Sequence, residues 1–418
     1  MTSEATRKAI EAVWRIECAR LTGGLVRMVG DIDLAEDLAQ EALIIALERW
    51  PQTGIPDNPG AWLMTTAKRR AIDQLRRREM QARKHEVIEA GAARATPSVE
   101  TRIDEQVGDD LLRLVLIACH PVLSTEARVA LTLRLLGGLT TDEIARAFLL
   151  PEPTIAQRIV RAKRTLAAAQ VPFEVPRGDD LSARLPSVLE VVYLIFNEGY
   201  AATRGTEWMR TKLCDDALRL GRILAELVPD QAEVHGLVAL MELHASRARA
   251  RLGLTGEPIL LLDQDRSRWD RLLIHRGLTA LARAEALARP LGPYTLQAAI
   301  VACHARATTA EQTDWQTIVA LYDALVELTQ SPVVELNRAV AVAMAFGPAA
   351  GLELVDALVD EPALRGYHLL PSVRGDLLAR LGRSDEARVE FERAAGLAHN
   401  QRERALLLAR AKACGRSS

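Results

Sequence analysis

Apolar residues recur along this chain at the three- and four-residue spacing of an α-helix, and runs that alternate apolar and polar residues are nearly absent. The first such segment starts near Thr6, and Gly23-Gly24 could loosen or end the helix that it predicts. A second helix is predicted from Asp31 or Asp33 to about Trp50. Its apolar side carries five residues, namely Leu34, Leu38, Ala42, Ile45 and Leu47. The pattern therefore predicts an all-α protein.

Proline, glycine and polar stretches divide this helical pattern. Pro51 and Gly54 predict a loop after the second helix, and a third helix is predicted from Asn58, which can cap it, and Pro59, which suits the first helical turn. Two stretches without helical periodicity, the first of them acidic, predict linkers. The predicted segments are 1–85, an acidic linker at 86–107, 108–170, a short linker at 171–180, and 181–418.

Composition narrows the class of protein. Of 418 residues, 49% are hydrophobic and 26% are charged, which is typical of a soluble globular protein with more than one domain. No apolar run is long enough to span a bilayer and the N-terminus is amphipathic, so we expect no membrane association and a cytoplasmic location. The five cysteines are scattered without a Cys-x-x-Cys pair, which argues against a disulfide framework or a zinc knuckle.

The strongest local signal is GGLTTDEIARAFLLPEPTIAQRIVRAKRTL at residues 137–166. Thr140 or Thr141 can cap a short helix, and a second helix is predicted from Thr154 to Leu166 after a short break, which makes a helix-turn-helix. With no acidic residue between Pro153 and Gln170, we expect the cations of the second helix to be uncompensated and to suit the major groove. These are Arg158, Arg161, Lys163 and Arg164. The alternative is a solvated helix that happens to be basic.

Two further segments carry clustered charge. AWLMTTAKRRAIDQLRRREMQARK places many basic residues on a helix with aromatic support from Trp62, which suits single-stranded or melted DNA, although a solvated helix end would look similar. DLAEDLAQEALIIAL places Glu36, Asp37, Gln40 and Glu41 in one polar patch opposite the apolar side. Taken alone, this patch is most simply an ordinary solvated face.

Taken together, these three segments give residues 1–170 a resemblance to the two conserved regions of extracytoplasmic-function (ECF) RNA polymerase sigma factors. The resemblance implies a helical region-two domain, a region-four helix-turn-helix domain, and as partners promoter DNA and core polymerase, through its clamp coiled coil and flap. It implies no cofactor, no metal and no enzymatic activity. Arg69 stands where many members have Asn, so the base preference at the minus-ten element cannot be carried over. Leu149 and Pro153 depart from the usual glycines of the turn.

The resemblance assigns roles to three groups of residues. The expected polymerase-binding residues are Glu36, Asp37, Gln40 and Glu41. The residues expected to open and bind the minus-ten element are Trp62, Lys68, Arg69, Arg70, Arg76 and Arg77. The residues expected to bind the minus-thirty-five element are Thr154, Gln157, Arg158, Arg161, Lys163 and Arg164.

Residues 181–418 resemble the multi-helix extension of one sigma-factor subgroup. A tetratricopeptide-like unit is suggested near 367–400 by the spacing of Gly375, Leu378, Gly382, Ala387, Phe391 and Ala394. In LSARLPSVLEVVYLIFNEGYAAT, Gly199 could end a helix in the left-handed conformation. We expect Asn197, Glu198, Gly199 and Tyr200 to form an exposed contact surface for region two, region four or polymerase; the alternative is a capped helix end packed on its neighbour. Trp208, Asp215, Asp216 and Arg219 are further candidates, which would line a groove at this surface.

Three functions stay open from the sequence. The first is a sigma factor whose extension regulates it in cis, which would make a separate anti-sigma protein unnecessary. The second is a stand-alone helix-turn-helix regulator with a helical sensor. This function does not account for the charged helices at residues 31–85. The third is an enzyme, for which the sequence offers no phosphate loop, no nucleophile–histidine arrangement with supporting context and no HExxH motif. The sequence favours the first.

Overall fold

A computed structural model describes residues 3–86, 107–148, 150–176, 179–202, 208–253 and 257–415. In these ranges the chain forms eighteen α-helices and no strand beyond a single bridge between Leu252 and Pro258. The prediction of an all-α protein is confirmed. The acidic linker at 86–107 and the turn residue Leu149 fall almost entirely outside the described ranges.

The first eight helices are α1 (Ser3–Val29), α2 (Ile32–Thr53), α3 (Pro59–Glu86), α4 (Val107–Ala118), α5 (Thr125–Leu135), α6 (Thr141–Phe148), α7 (Glu152–Ala168) and α8 (Asp179–Tyr200). The other ten are α9 (Thr211–Leu227), α10 (Ala232–Ala245), α11 (Arg271–Leu287), α12 (Pro293–Arg306), α13 (Trp315–Thr329), α14 (Pro332–Phe346), α15 (Pro348–Ala357), α16 (Leu369–Arg380), α17 (Ser384–Leu397) and α18 (Gln401–Cys414). They form two compact units, an N-terminal unit of residues 1–191 and a C-terminal unit of residues 192–418; the boundary along the chain falls in α8.

The glycine pair in α1 serves close packing and does not interrupt the helix. The expectation that Gly23-Gly24 loosens or ends α1 is wrong, because α1 runs without a break to Val29. A Cβ atom on Gly23 would lie 2.8 Å from the backbone oxygen of Asp110. The missing side chain therefore lets α1 approach the backbone of α4.

The ends of α2 and α3 follow from their capping residues. The side chain of Asp31 accepts hydrogen bonds from the backbone N–H groups of Asp33 and Leu34, at 2.8 and 3.1 Å. Pro51 lies in the last turn of α2, not in the predicted loop, and Gly54 ends the helix with a φ of 84°. Asn58 accepts a hydrogen bond from the Ala61 N–H at 3.0 Å and Pro59 is the first residue of α3, as predicted.

Antiparallel helix pairs build the C-terminal unit. In α16 and α17, Leu378, Ala387, Phe391 and Ala394 are fully buried, and Gly375 faces the Phe391 ring. The turn between these helices passes through Gly382, whose φ of 77° favours glycine. The residues that suggested a tetratricopeptide-like unit thus form one close helix pair with its turn.

Candidate polymerase and nucleic-acid interface

The helix-turn-helix is built as its sequence predicts. Thr140 and Glu143 cap α6 reciprocally, because the Thr140 N–H donates to the Glu143 carboxylate at 3.0 Å and the Glu143 N–H donates to Thr140 Oγ1 at 3.1 Å. Ile144, Ile155 and Ile159 are buried beneath the two helices. α7 begins at Glu152, with Pro153 in its first turn. These contacts fix the orientation of the opposite side of α7.

That opposite side is exposed and cationic. Arg161 and Arg164 are exposed and Arg158 is half-buried, and none of the three forms an ion pair with a described residue. Thr154 and Gln157, which were also predicted to bind DNA, are exposed on the same helix. The Arg158 cation lies close enough to Glu126 to contribute to that carboxyl's lowered pKa, after the larger effects of its hydrogen bonds to its own backbone and to Ser124. These three guanidinium groups are free to contact phosphates or base edges.

Lys163, on the same helix, differs from these arginines because carboxylates hold its side chain. Its Nζ lies 2.6 Å from Asp33 Oδ1 and 2.7 Å from Glu36 Oε2, so the prediction that it is uncompensated is wrong. Burial lowers the pKa of Lys163, but the carboxylates of Glu36 and Asp33 outweigh this effect and hold it above its ordinary value. Lys163 is therefore a charged group of an interface between α7 and α2.

Glu36 forms the other half of that interface. It is 9% exposed, it accepts a hydrogen bond from Arg134 of α5 as well as from Lys163, and Gln40 donates to it at 2.9 Å. The prediction of a solvated patch is wrong at this residue, because two cations from α5 and α7 cover it. We call Asp33, Glu36, Arg134 and Lys163 the inter-region cluster.

The rest of the predicted polymerase-binding patch faces outward. Asp37 is exposed, and partial burial together with the Glu36 carboxylate raises the pKa of its carboxyl group. Gln40 and Glu41 are half-buried, and Glu41 pairs with Arg70 of α3 at 3.4 Å. Three of the four predicted residues therefore reach the surface, while Glu36 does not.

Two more ion pairs join the region-two and region-four helices. Arg15 of α1 lies 3.0 Å from Glu143 of α6, and Arg27 of α1 lies 2.9 Å from Asp110 of α4. Arg113 also binds Asp110 at 2.7 Å. Burial raises the pKa of Asp110, and the two arginines oppose that shift. These pairings were not predicted, because sequence periodicity carries no information on contacts between residues 83 to 128 positions apart.

The predicted minus-ten surface lies along α3. Trp62 is half-buried and packs edge-on against Trp50, with ring centroids 5.3 Å apart. Arg69, Arg76 and Arg77 are exposed, Arg70 is exposed beside Glu41, and Lys68 is half-buried. The helix thus presents a row of cations next to an aromatic side chain that its neighbour holds in place.

The four residues 197–200 (NEGY), which were expected to form an exposed contact surface, mostly pack against neighbouring residues of the chain. The expectation that Gly199 ends a helix in the left-handed conformation is wrong, because Gly199 lies inside α8 and a Cβ atom there would be 2.7 Å from the backbone nitrogen of Cys214. Asn197 is exposed, whereas Glu198 pairs with Arg210 and Tyr200 is half-buried. Of the four further candidates for a groove at this surface, Asp216 and Arg219 form an ion pair at 3.6 Å.

Comparisons with known proteins agree with this geometry. The sigma-70 region 2 family matches residues 19–80, and the sigma-70 region 4 family matches residues 113–166. The ECF RNA polymerase sigma factor SigK of Mycobacterium tuberculosis (strain H37Rv) is 32% identical over 152 residues, which are 35% of this chain and 78% of SigK. The chain belongs to the ECF sigma factor family. It is a sigma factor that binds core RNA polymerase and promoter DNA through its two sigma-70 domains.

Other relatives extend the comparison. The probable ECF sigma factor SigI of the same strain is 30% identical over 167 residues, which are 40% of this sigma factor and 57% of SigI. Uncharacterized protein R00370 of Rhizobium meliloti is 45% identical over 387 residues, or 92% of this chain and 91% of that protein. Residues 184–285 match a family of unknown function, DUF6596. Among the described helices, none is both long and apolar enough to cross a membrane.

Proposed function

We propose that this sigma factor directs initiation at specific promoters through three surfaces. Arg158, Arg161 and Arg164 of α7 bind the minus-thirty-five duplex, and the cations of α3 hold the opened minus-ten strand. The outward residues of α2 bind the clamp coiled coil, and the region-four helices lie toward the flap. The observation that carries this proposal is a set of three arginines without ion pairs to described residues, two exposed and one half-buried, on a helix whose other side is buried.

We also propose that the compact N-terminal unit is a closed form that must open on polymerase. Elements named minus ten and minus thirty-five lie about 25 base pairs apart, or roughly 85 Å at about 3.4 Å per base pair. A unit in which Lys163 of α7 touches Asp33 and Glu36 of α2 cannot contact both elements at once. Opening would break the inter-region cluster, and it would release Glu36 to the polymerase-binding face and Lys163 to DNA.

The extension is proposed to control this step in cis, in the cytoplasm, in place of a separate anti-sigma protein. A physical link supports the idea. Arg128 of α5 is 9% exposed, donates to Ser187, and lies 3.0 Å from Glu190, both in the first half of α8. Ser187 also donates to the backbone oxygen of Cys119 at 2.6 Å. Displacement of α8 would therefore disturb the helices that support α7.

In vitro transcription with core polymerase tests the proposal. Full-length protein is compared with a truncation after residue 200, which keeps all of α8, on a pool of genomic fragments that includes its own upstream region. Circular dichroism checks that both are folded. Specific initiation by either protein supports promoter direction, and unequal activity supports cis control and gives its sign. If neither initiates, while the full-length protein binds duplex DNA specifically without polymerase, the chain is instead a stand-alone regulator.

A further inference from the structure

Three arginine side chains in the C-terminal unit are buried without an acidic partner. Arg247, Arg251 and Arg266 are 7%, 8% and 7% exposed. A buried cation is normally paired with a carboxylate, because removing its charge from water is costly. Within the described residues, no carboxylate forms an ion pair with any of the three. We call them, with Tyr200 and Trp269, the arginine–aromatic cluster.

Neutral groups hold these guanidinium groups in place. Arg251 lies over the Tyr200 ring, 3.6 Å from its centroid, and donates to the Tyr200 carbonyl. Arg247 donates to the Tyr200 hydroxyl at 2.8 Å, and its Cζ lies 5.7 Å from the Trp269 ring centroid. Arg266 donates to the backbone oxygens of His304 and Ala307 at 2.7 and 2.8 Å. These contacts orient three positive charges but neutralise none of them. The Glu311 carboxylate acts on Arg266 without forming an ion pair with it.

The same cluster holds nitrogen atoms that lack a hydrogen-bond partner. Nε of Arg247, Nε of Arg266 and Nε1 of Trp269 are buried N–H donors, and none has an acceptor among the described residues; Nδ1 of the adjacent His304 also lacks a partner. Buried donors left unsatisfied are rare in folded proteins. Their concentration around Trp269, whose ring lies 5.0 Å from the Arg266 Cζ, indicates that an acceptor belongs there.

A cleft adjoins the cluster at Tyr200, which lines it, whereas Arg247, Arg251 and Arg266 do not. It has a volume of about 480 Å³, and Tyr200, Ser246 and Arg249 form part of its wall, so it opens beside the backbone at Arg247. Arg222 and Arg276 also line it. Two acidic residues, Asp215 and Asp270, line it as well; burial raises the pKa of Asp215, and Asp270 caps α11. The volume is in the range of small-molecule sites.

We propose that this cleft binds a small molecule that carries a phosphate group, and that the phosphate reaches the arginine–aromatic cluster past Tyr200, which belongs to both. Three guanidinium groups match the charge of about −1.5 to −2 on a phosphate better than the single charge of a carboxylate. The phosphate oxygens would accept the unpartnered N–H groups of Arg247, Arg266 and Trp269. This site lies in the C-terminal unit and does not depend on the promoter-binding role of the N-terminal unit.

Titration calorimetry on the full-length protein tests the site, with inorganic phosphate as the probe and ionic strength held constant with chloride. We expect saturable phosphate binding that Arg247→Met weakens at least about tenfold, because the variant removes charge-assisted hydrogen bonds to the phosphate oxygens. Arg388→Met, on α17 with a side chain 43% exposed, is the matched control and should bind as the wild type does. Tyr200→Phe, which removes only the hydroxyl group, gives a second variant with a smaller expected loss in case Arg247→Met does not fold.

The titrations distinguish phosphate binding at this site from the alternatives. Absence of saturable phosphate binding by the wild type would overturn the proposal, as would equal binding by folded Arg247→Met and wild-type protein. Malonate serves as a dicarboxylate probe, and malonate binding as tight as that of phosphate would contradict the phosphate assignment. Because none of these titrations uses polymerase or DNA, failure here leaves the proposed sigma function untouched.

Discussion

The two units each bury a group of cations, but they balance the charge differently. In the inter-region cluster, Arg134 and Lys163 meet the carboxylates of Asp33 and Glu36. In the arginine–aromatic cluster, the three arginines meet aromatic rings, carbonyls, hydroxyls and the His244 ring nitrogen, and none forms an ion pair with a described carboxylate. The first is neutral within the chain, so it can hold two regions together and be broken. The second becomes neutral only when an anion is added, which is the property of a binding site.

The largest expected effect on the free energy of unfolding comes from removing a carboxylate charge from the inter-region cluster. Glu36→Gln removes the ion pair of Arg134 and leaves Lys163 with Asp33 alone. Loss of one partner of a buried pair costs about 3–5 kcal/mol. Urea unfolding should show the N-terminal unit destabilised by about 3 kcal/mol or more. Glu41→Gln is the control, because its half-exposed pair with Arg70 contributes less than about 1 kcal/mol. Equal losses in the free energy of unfolding for Glu36→Gln and Glu41→Gln would contradict this account, because the inter-region cluster would then stabilise the unit no more than the half-exposed pair does.

Acid should destabilise the C-terminal unit through the histidines beside its arginines. Burial, and then the charges of Arg247 and Arg266, lower the pKa of His304 to about 4; the pKa of His244 is also lowered, by burial and by Arg247 and Arg251. Unfolded histidine binds a proton near pH 6.5, so stability present above that pH is lost as the pH falls toward 4. The loss from His304 alone should approach about 3 kcal/mol.

Urea unfolding at pH 7 and pH 4.5 measures this loss. His304→Gln should reduce it, and His399→Gln, at an exposed position, should not. Trp315 packs edge-on against His304 with ring centroids 5.1 Å apart, so its fluorescence reports on the site. If phosphate binds as proposed, it should diminish the acid loss, because an anion favours the protonated histidines. An unchanged acid loss in His304→Gln would show that other groups cause it.

The arginines of α7 that have no ion pair are expected to bind DNA, whereas Lys163 on the same helix is held by carboxylates. Arg158→Ala should weaken promoter binding by the holoenzyme by about 1–3 kcal/mol if it contacts a base bidentately, with the loss confined to some sequences. A phosphate contact would instead weaken binding on all sequences and reduce the salt dependence by about one counterion. Arg146→Ala, on the exposed side of α6 beside Asp142, is the control. No loss in Arg158→Ala would remove α7 from the DNA interface.

The smallest expected effect on the free energy of unfolding comes from the helix cap that precedes the inter-region cluster on α2. Asp31→Ala removes the cap of α2 just before Asp33 and should lower the free energy of unfolding by about 1 kcal/mol. Asp57→Ala is the control, because Asn58 and not Asp57 caps α3. A loss of 3 kcal/mol or more in Asp31→Ala would mean that the cap and the cluster fold as one element.

Local chemistry made much of this structure predictable. The capping residues Asp31, Asn58 and Thr140 and the apolar positions of the helix-turn-helix appear in the sequence because their partners lie within a few residues. Glu36 and Lys163 are 127 positions apart, and each looked like an ordinary solvated charge within its own helix. Gly23 and Gly199 were read as helix breakers, since a sequence does not show which backbone will approach a missing side chain.

The most direct test of the account is the distance between the two sigma regions in solution. Dyes are placed at Thr65→Cys on α3 and Thr165→Cys on α7, both exposed, in a Cys414→Ser background; the other four cysteines are buried. Single-molecule energy transfer is then measured for the free protein and for its complex with core polymerase and promoter DNA. The account predicts high transfer in the free protein and low transfer in the initiating complex. High transfer in a complex that initiates transcription would contradict it.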